Sequence, residues 1–400
     1  MRFFLRRYSG VEKYALSLAV LHCIAIFLFS ALSFKTPNFA WMHAIWPISS
    51  LDDVDVFGIY IPIFRPLVFL EKLEYQVYGD VFITNNFLYG AIFSFLAFIT
   101  CYRSIWIGFI FLFFYPLIII SSDGGVVYDA VFCLSLVLFI MVCSEFQDGP
   151  NVSLQTFLRL SLAIVLGDLS RPFMLPMIAA LIVLMPAFLK NVRLNLKFFF
   201  ITVFVSGAFV GVFHYHQYLE TGSVILSNFG GCNVGEVFRV GSNIDFSRSL
   251  NLSYVSAECQ RQLSVVSNLV LNNPNTLFLD GQVFYKAINV WFPDIAFHGN
   301  RGWALENRFW AGPIFSRFSP LLYVLFLIVL ISAPENRKFV PTVFSLFLFT
   351  YTILNVYSHN GTESVRMLLP VAVAKVYLIS KYIDDLALMI RGAYRCSQKF

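Results

Sequence analysis

The sequence predicts an all-α fold, a polytopic transmembrane bundle of about ten helices with interfacial helices in two long outer loops. Three observations predict it. Of 400 residues, 58% are hydrophobic and 13% charged, whereas a soluble domain carries roughly 25% charged residues. Phe alone fills 46 positions, more apolar surface than a soluble fold of this size can hide. The apolar residues also gather into runs that approach the roughly 20 helical residues needed to cross a hydrocarbon core. The basic residues between those runs recur on one side, as in membrane proteins oriented by their cytoplasmic Lys and Arg.

The first run, Tyr14 to Ser33, follows Arg2, Arg6, Arg7 and Lys13. A basic start before an apolar stretch suits a signal peptide, but this run is too long for its apolar region and no small-residue cleavage site follows. It is read as a retained first helix with its amino terminus inside. Further helices are expected at about 82–101, 104–120, 126–144, 154–168, 172–189, 198–215, 319–333, 339–357 and 367–383. The inner segments then hold Arg103, the group Lys190, Arg193 and Lys197, the pair Arg337 and Lys338, and finally Arg391, Arg395 and Lys399. Both termini are therefore expected in the cytoplasm.

Two long outer segments remain, about 34–81 and 216–318. Both mix Trp, Tyr, Phe and Pro with scattered charge, which suits short helices lying on the membrane surface. No internal repeat and no separate soluble domain is evident, so residues 1–400 read as one membrane domain. The net charge of +5 is small for this length and gives no reason to expect nucleic acid. Cys23, Cys101, Cys133 and Cys143 fall in or beside membrane helices, and Cys396 lies in the cytoplasmic tail. Cys232 and Cys259 share the large outer loop; in an oxidising compartment they are a reasonable disulfide pair, the alternative being two unpaired thiols.

The densest acidic cluster is Asp52, Asp53 and Asp55 in LDDVDVFGIY, after the first helix and near headgroup level. A carboxylate there can take a proton from an attacking hydroxyl or hold a divalent cation; a solvated turn capping a helix is the plainer account. In GDLSRPFMLP, Asp168 and Arg171 interrupt apolar sequence at another outer turn, and Pro172 breaks the helix. Ionisable residues near membrane depth are costly and mark functional sites, yet a turn whose two charges pair with each other fits as well. In SHNGTESVRMLLP, Glu363 and Arg366 are three apart and share a face if a helix begins there. An Arg at that level can grip a phosphate with two donors or snorkel to the interface. Lys375 lies deeper in the same run, facing a polar cavity or marking a misplaced boundary.

Asp123 and Asp129, in SSDGGVVYD, occupy a further outer turn. His214 and His216, in HYH, cannot share one helical face; from a loop they could bind metal, but interfacial aromatic character is the plainer account and explains the pair adequately. There is no Walker-type phosphate loop, no GxSxG elbow and no CxxC pair, which argues against ATP-driven transport by this chain alone.

Taken in order, these features resemble the GT-C superfamily of membrane glycosyltransferases over roughly 14–383. LDDVDVFGIY resembles the family's acidic motif in the first outer loop. SSDGGVVYDAVFCLSLVLF resembles its entry into the fourth helix, and LSRPFMLP its recurring Arg-Pro turn. NPNTLFLDGQVFYKAINVWFPD at 273–294 resembles the interfacial part of its large outer loop, and ESVRMLLPV its Arg-bearing late helix. The acidic motif departs from the pattern: several families carry an Asp-Glu pair, and this chain has three Asp and no Glu, which leaves open which Asp is the base.

The resemblance implies transfer of a sugar from a polyprenyl-phosphate donor to a saccharide or lipid acceptor on the outer face. Asp53 or Asp55, with Asp52 beside them, would serve as base. Arg366, with Arg171, would hold the departing phosphate. No cofactor is required, although a divalent metal ion is compatible. The loop around Cys232 and Cys259 would cover or select the acceptor.

Two other classes fit a polytopic chain. A flippase or transporter of a lipid-linked saccharide normally shows repeats and broken helices in both halves, which are not evident here. A polysaccharide polymerase or ligase leans on outer-loop arginines, of which Arg239, Arg248, Arg261, Arg301, Arg308 and Arg317 are candidates. A noncatalytic scaffold is the residual case. Asn251-Leu-Ser and Asn360-Gly-Thr match the glycosylation triplet, but without a visible retention signal a bacterial inner membrane is the expected location.

Overall fold

The computed structural model describes residues 127–148, 153–170, 192–221, 230–241, 252–291, 311–333 and 338–358 continuously. It adds separated helical positions within 17–24, 73–77, 91–96, 178–184 and 371–390. The described residues are all-helical, with no strand among them. In chain order the elements are α1 (Val127–Asp148), α2 (Leu154–Ser170), α3 (Val192–Thr221), α4 (Gly230–Val237) and α5 (Leu252–Asn272). A 3₁₀ turn (Pro274–Gly281), α6 (Gln282–Trp291), α7 (Ala311–Ser332) and α8 (Phe339–Ser358) follow.

The core is built around α1. From Val131 to Ser144 every residue is buried, and Phe132, Cys133, Leu136, Val137, Phe139 and Val142 are wholly inaccessible. A helix apolar on all sides belongs at the centre of a bundle, and α1 packs against both α2 and α8. Ser135 answers its own buried hydroxyl by donating to the Ala163 carbonyl of α2 at 2.6 Å. The second helix begins at a Ser cap: the Thr156 N–H donates to the Ser153 hydroxyl oxygen at 3.2 Å, satisfying one of the donors that a helix start leaves open. Residues 373–380 are buried as completely as α1 and join the same core.

The ends of these helices sort into two groups. At one end Arg159 of α2 pairs with Glu145 of α1, and the Val340 N–H of α8 donates to Gln147 of α1 at 3.4 Å. Phe198, near the start of α3, meets Phe157 and Phe146 edge-on at 5.9 and 6.2 Å. Farther along, Asp168 near the end of α2 meets His214 of α3, and the end of α8 meets α4 and α6. Thus α2, α3 and α8 run the same way and α1 runs against them.

Two described helices are long and apolar enough to cross a membrane, Leu196–His216 within α3 and Phe339–Tyr357 within α8. The third helix buries only a narrow stripe, in which Phe199 and Val210 alternate with polar residues, and exposes most of its large apolar side chains. Its buried stripe includes Thr202 (0% exposed) and Ser206 (2%), whereas Phe204 (79%) and Val212 (67%) stand exposed with Phe200, Ile201, Val205 and Phe209. Thr202 donates to the Phe198 carbonyl at 2.9 Å, so its hydroxyl is satisfied within the helix.

Several expected boundaries shift. The helix expected at 198–215 runs from Val192 to Thr221, about 45 Å at 1.5 Å per residue. Hydropathy detects only its apolar middle. His214 and His216 therefore sit on a helix and not in the loop from which a metal site was considered. The helix expected from 319 begins at Ala311, because Pro313 falls in its first turn, where a missing N–H costs nothing. The expected span 104–120 lies outside the described residues, as does most of 34–81.

Within the expected large loop, α4 and α5 are bound face to face. Cys232 and Cys259 form a disulfide with Cα atoms 4.4 Å apart. Gly235 allows the close approach, since a Cβ there would fall 2.1 Å from Gln262 Oε1 and 2.9 Å from its Cβ. Gln262 is buried and donates to Glu258 Oε1 at 3.1 Å. Arg261 grips the same carboxylate through Nε at 2.7 Å and Nη2 at 2.6 Å, and reaches the Gly241 carbonyl at 3.1 Å. Arg261, one of the arginines a polymerase reading would use, is thus a brace within the loop.

Candidate functional site

The described residues carry part of the expected site. Asp52, Asp53, Asp55, Asp123, Arg171, Glu363 and Arg366 lie outside them. Asp129 belongs to the first turn of α1, with its side chain outside the described set. Asp168, Lys375, Cys232 and Cys259 are described.

Asp168 sits in the last turn of α2 and has a partner on α3. Its Oδ2 lies 2.8 Å from Nε2 of His214 on α3, with side-chain exposures of 14% and 16%. An ionised carboxylate only accepts, so Nε2–H is the donor. The contact ties two parallel helices at the level where the sequence predicts their outer ends, since Asp168 closes the run 154–168 and His214 nearly closes 198–215. That shared level is the signal that could have paired them; a separation of 46 residues hides it from any local reading. Breaking a hydrogen bond to a partly buried charged group costs about 1–3 kcal/mol. His214→Ala is therefore expected to lower thermal stability in detergent by that amount and His214→Gln by less, as read from melting of purified full-length protein.

Lys375 belongs to the helical positions 373–383, and helical positions continue at 385, 386 and 390, beyond the expected end at 383. It is buried to 5% exposure, and its Nζ stands 5.1 Å from the centroid of the Tyr323 ring of α7. Cation–ring attraction of this kind is worth most in a desolvated setting. This contact joins α7 to the last helix of the core.

The 230–291 helices dock on the far end of α8. Val237, Leu279 and Val356 form a small buried cluster, with Phe238, Val283, Ala287 and Tyr357 packed against it. Phe238 stacks on Tyr357 with ring centroids 6.1 Å apart and planes 14° apart. The Tyr357 hydroxyl donates to the Leu277 carbonyl at 3.0 Å, and Lys286 Nζ reaches the Val356 carbonyl at 3.5 Å. Tyr357 ends the apolar stretch of α8, so this cluster anchors the loop where the span ends.

The braced loop and the last turn of α8 stand together, α3 touches α5 of that loop, and Arg366 follows Ser358 by eight residues of chain. Among the described residues no group of three or more His, Cys, Asp or Glu side chains converges to hold a metal ion. Of the residues that sequence reasoning missed, Lys286 and Tyr357 tie the loop to the bundle. Comparison with protein-family models, with curated proteins and with solved structures found no match.

Proposed function

We propose that this chain is a multi-pass membrane glycosyltransferase, crossing the bilayer about ten times with both termini cytoplasmic. It moves a sugar from a polyprenyl-phosphate donor to a glycan, lipid or protein acceptor on the outer face. The observation that carries the reading is the sorting of helix ends. Elements that the sequence assigns to the outer side contact one another: Asp168 meets His214, and the disulfide-braced loop docks on the end of α8. On the side assigned as inner, Arg159 pairs with Glu145 and the Val340 N–H with Gln147. Alternating helix directions in a bilayer produce this sorting.

A membrane is further supported by α3. In water, exposing Phe204, Phe209 and Val212 is unfavourable. Against acyl chains it is favourable.

A polyprenyl phosphate cannot leave the bilayer, so its sugar arrives at headgroup level, the level assigned to the acidic cluster and Arg366. The proposed step is a single displacement. The acceptor O–H gives its proton to Asp53 or Asp55 as the oxygen attacks the anomeric carbon. The bond from that carbon to the phosphate oxygen breaks, its electron pair leaves with the phosphate, and Arg366 with Arg171 stabilises the charge. Attack opposite the leaving group inverts the anomeric centre. A divalent ion would find carboxylates in the same cluster.

The test is sugar transfer in proteoliposomes, with a panel of radiolabelled polyprenyl-phosphate sugars and a crude acceptor extract. Appearance of label in the acceptor supports the transferase. Label that changes leaflet without leaving its lipid supports the flippase instead, and chain extension from a lipid-linked oligosaccharide supports the polymerase.

A further inference from the structure

Two aromatic side chains of the large loop stand open. Phe278 in the 3₁₀ turn is 66% exposed, and Phe284 in α6 is 81% exposed. Both stand beside contacts that hold the loop to α8. Leu277, the neighbour of Phe278, accepts from the Tyr357 hydroxyl at its carbonyl oxygen, 3.0 Å away. Val283 and Ala287 of α6 pack against the buried cluster at the end of α8, and Lys286 Nζ reaches the Val356 carbonyl at 3.5 Å. Phe284 follows Val283 by one residue, a rotation of about 100° around the helix. It therefore stands on the flank of a helix whose other face is held against the bundle.

Those contacts fix the depth of both rings. Tyr357 closes the apolar span Phe339–Tyr357 of 19 residues. At 1.5 Å per residue it rises about 28 Å, close to the roughly 30 Å of a hydrocarbon core. A span that just crosses the core places Tyr357 at its edge, and the stretch 277–286 with it. Exposed apolar surface on α8 runs up to the same level. Phe349 and Ile353 are exposed and four residues apart, and four more residues bring Tyr357, so the three lie along one face. In water, two open Phe rings at that level are a cost. At the edge of a bilayer the same rings meet acyl chains, as on the apolar face of an interfacial helix.

We infer that Phe278 and Phe284 dip into the outer leaflet and dock the loop on the membrane, so that the partner of this surface is the lipid bilayer itself. The inference rests on the membrane-spanning part of the proposed function and not on its chemistry. It narrows the expectation that all of 216–318 lies on the membrane: the anchor is the stretch 277–286, which is both pinned at the end of a span and open beside it. The loop is then held from two sides, by Tyr357 and by lipid. That keeps it at the level where a lipid-borne sugar would arrive.

The test reads the surroundings of a nitroxide label on the full chain in phosphatidylcholine vesicles. Single cysteines at Phe278→Cys and Phe284→Cys carry the label, each in a chain whose other unpaired cysteines are replaced by Ser. Phe204→Cys on α3 is the lipid reference. All three positions are exposed, so the label displaces no core packing. Power saturation compares collision with oxygen, which concentrates among acyl chains, against collision with a water-soluble nickel chelate. Labels at 278 and 284 should collide more with oxygen than with the chelate, by a smaller excess than at 204, which lies near the middle of its span. A chelate excess at either 278 or 284, with 204 still in lipid, puts the ring in water and overturns the docking alone. A label at either position shielded from both reagents means that a second copy or another segment of the chain covers it, which overturns the docking as well. A chelate excess at 204 too removes the membrane reading and the docking with it.

Discussion

Replacing Asp53 or Asp55 by Asn should lower sugar transfer in proteoliposomes by roughly 10²–10⁴, the contribution of a positioned general base. Asn keeps the size of the side chain and removes the proton acceptor, so expression and detergent stability should stay near those of the parent. Only the true base should show the full loss. Its neighbours, including Asp52, should show smaller effects, through charge or through a bound cation. Adding Mn²⁺ or Mg²⁺ after chelation separates the two roles: a metal-holding Asp gives a variant whose residual rate rises with metal concentration, whereas a base gives one that metal does not rescue. Arg366→Ala should reduce the rate with a different signature, a loss that is smaller for donors with a better leaving group. Equal activity across Asp52→Asn, Asp53→Asn and Asp55→Asn would make the cluster a helix-capping turn and remove the chemical core of the proposal.

Phe204→Lys should impair membrane insertion strongly. Phe204 is the most exposed of the large apolar residues of α3 and lies near the middle of the apolar stretch Leu196–His216. A Lys at the centre of a membrane helix costs about 2.5–3.5 kcal/mol in insertion experiments. On a water-exposed face the same change alters stability by only about 0.5 kcal/mol. The two environments therefore predict different outcomes for one substitution. The measurement is the fraction of chain in the carbonate-washed membrane pellet, with Phe204→Leu as the control that retains apolar character. A Phe204→Lys chain recovered at parental yield in the pellet, with parental melting, would mean that α3 does not face lipid.

Sequence legibility here followed the physics of each contact. Runs such as 126–144, 154–168 and 339–357 match α1, α2 and α8 closely, because an apolar run bounded by polar turns has few other uses at that length. The extra turns of α3 were not legible: His216 to Thr221 are too polar for a hydropathy window, yet they continue the same helix. The helices α4 and α6 lay inside a segment read only as interfacial, because each is too short to show a period. The pairing of Cys232 with Cys259 was legible by location, as two cysteines in one outer segment. Other contacts form between groups far apart in the chain. Asp168 meets His214, Lys286 meets Val356 and Lys375 meets Tyr323 only after the helices pack, so no local pattern announces them. The sequence motif did draw attention to Asp168, for a sound reason: an acid within apolar sequence needs a partner. His214 is a partner that no local pattern offered; Arg171, the nearest opposite charge along the chain, lies outside the described residues.

The account depends most on one arrangement, the acidic segment and the braced loop standing on the same face of a bilayer and the carboxyl-terminal tail on the other. Labelling with a membrane-impermeant maleimide tests it directly. Single cysteines at Ser50→Cys and Ser227→Cys report the two outer segments, and native Cys396 reports the tail, each in a chain whose other unpaired cysteines are replaced by Ser. In intact cells stripped of their outer wall, the cysteines at 50 and 227 should label and Cys396 should label only after permeabilisation. Labelling of 50 and 227 from opposite sides, or of Cys396 together with them before permeabilisation, would contradict the account.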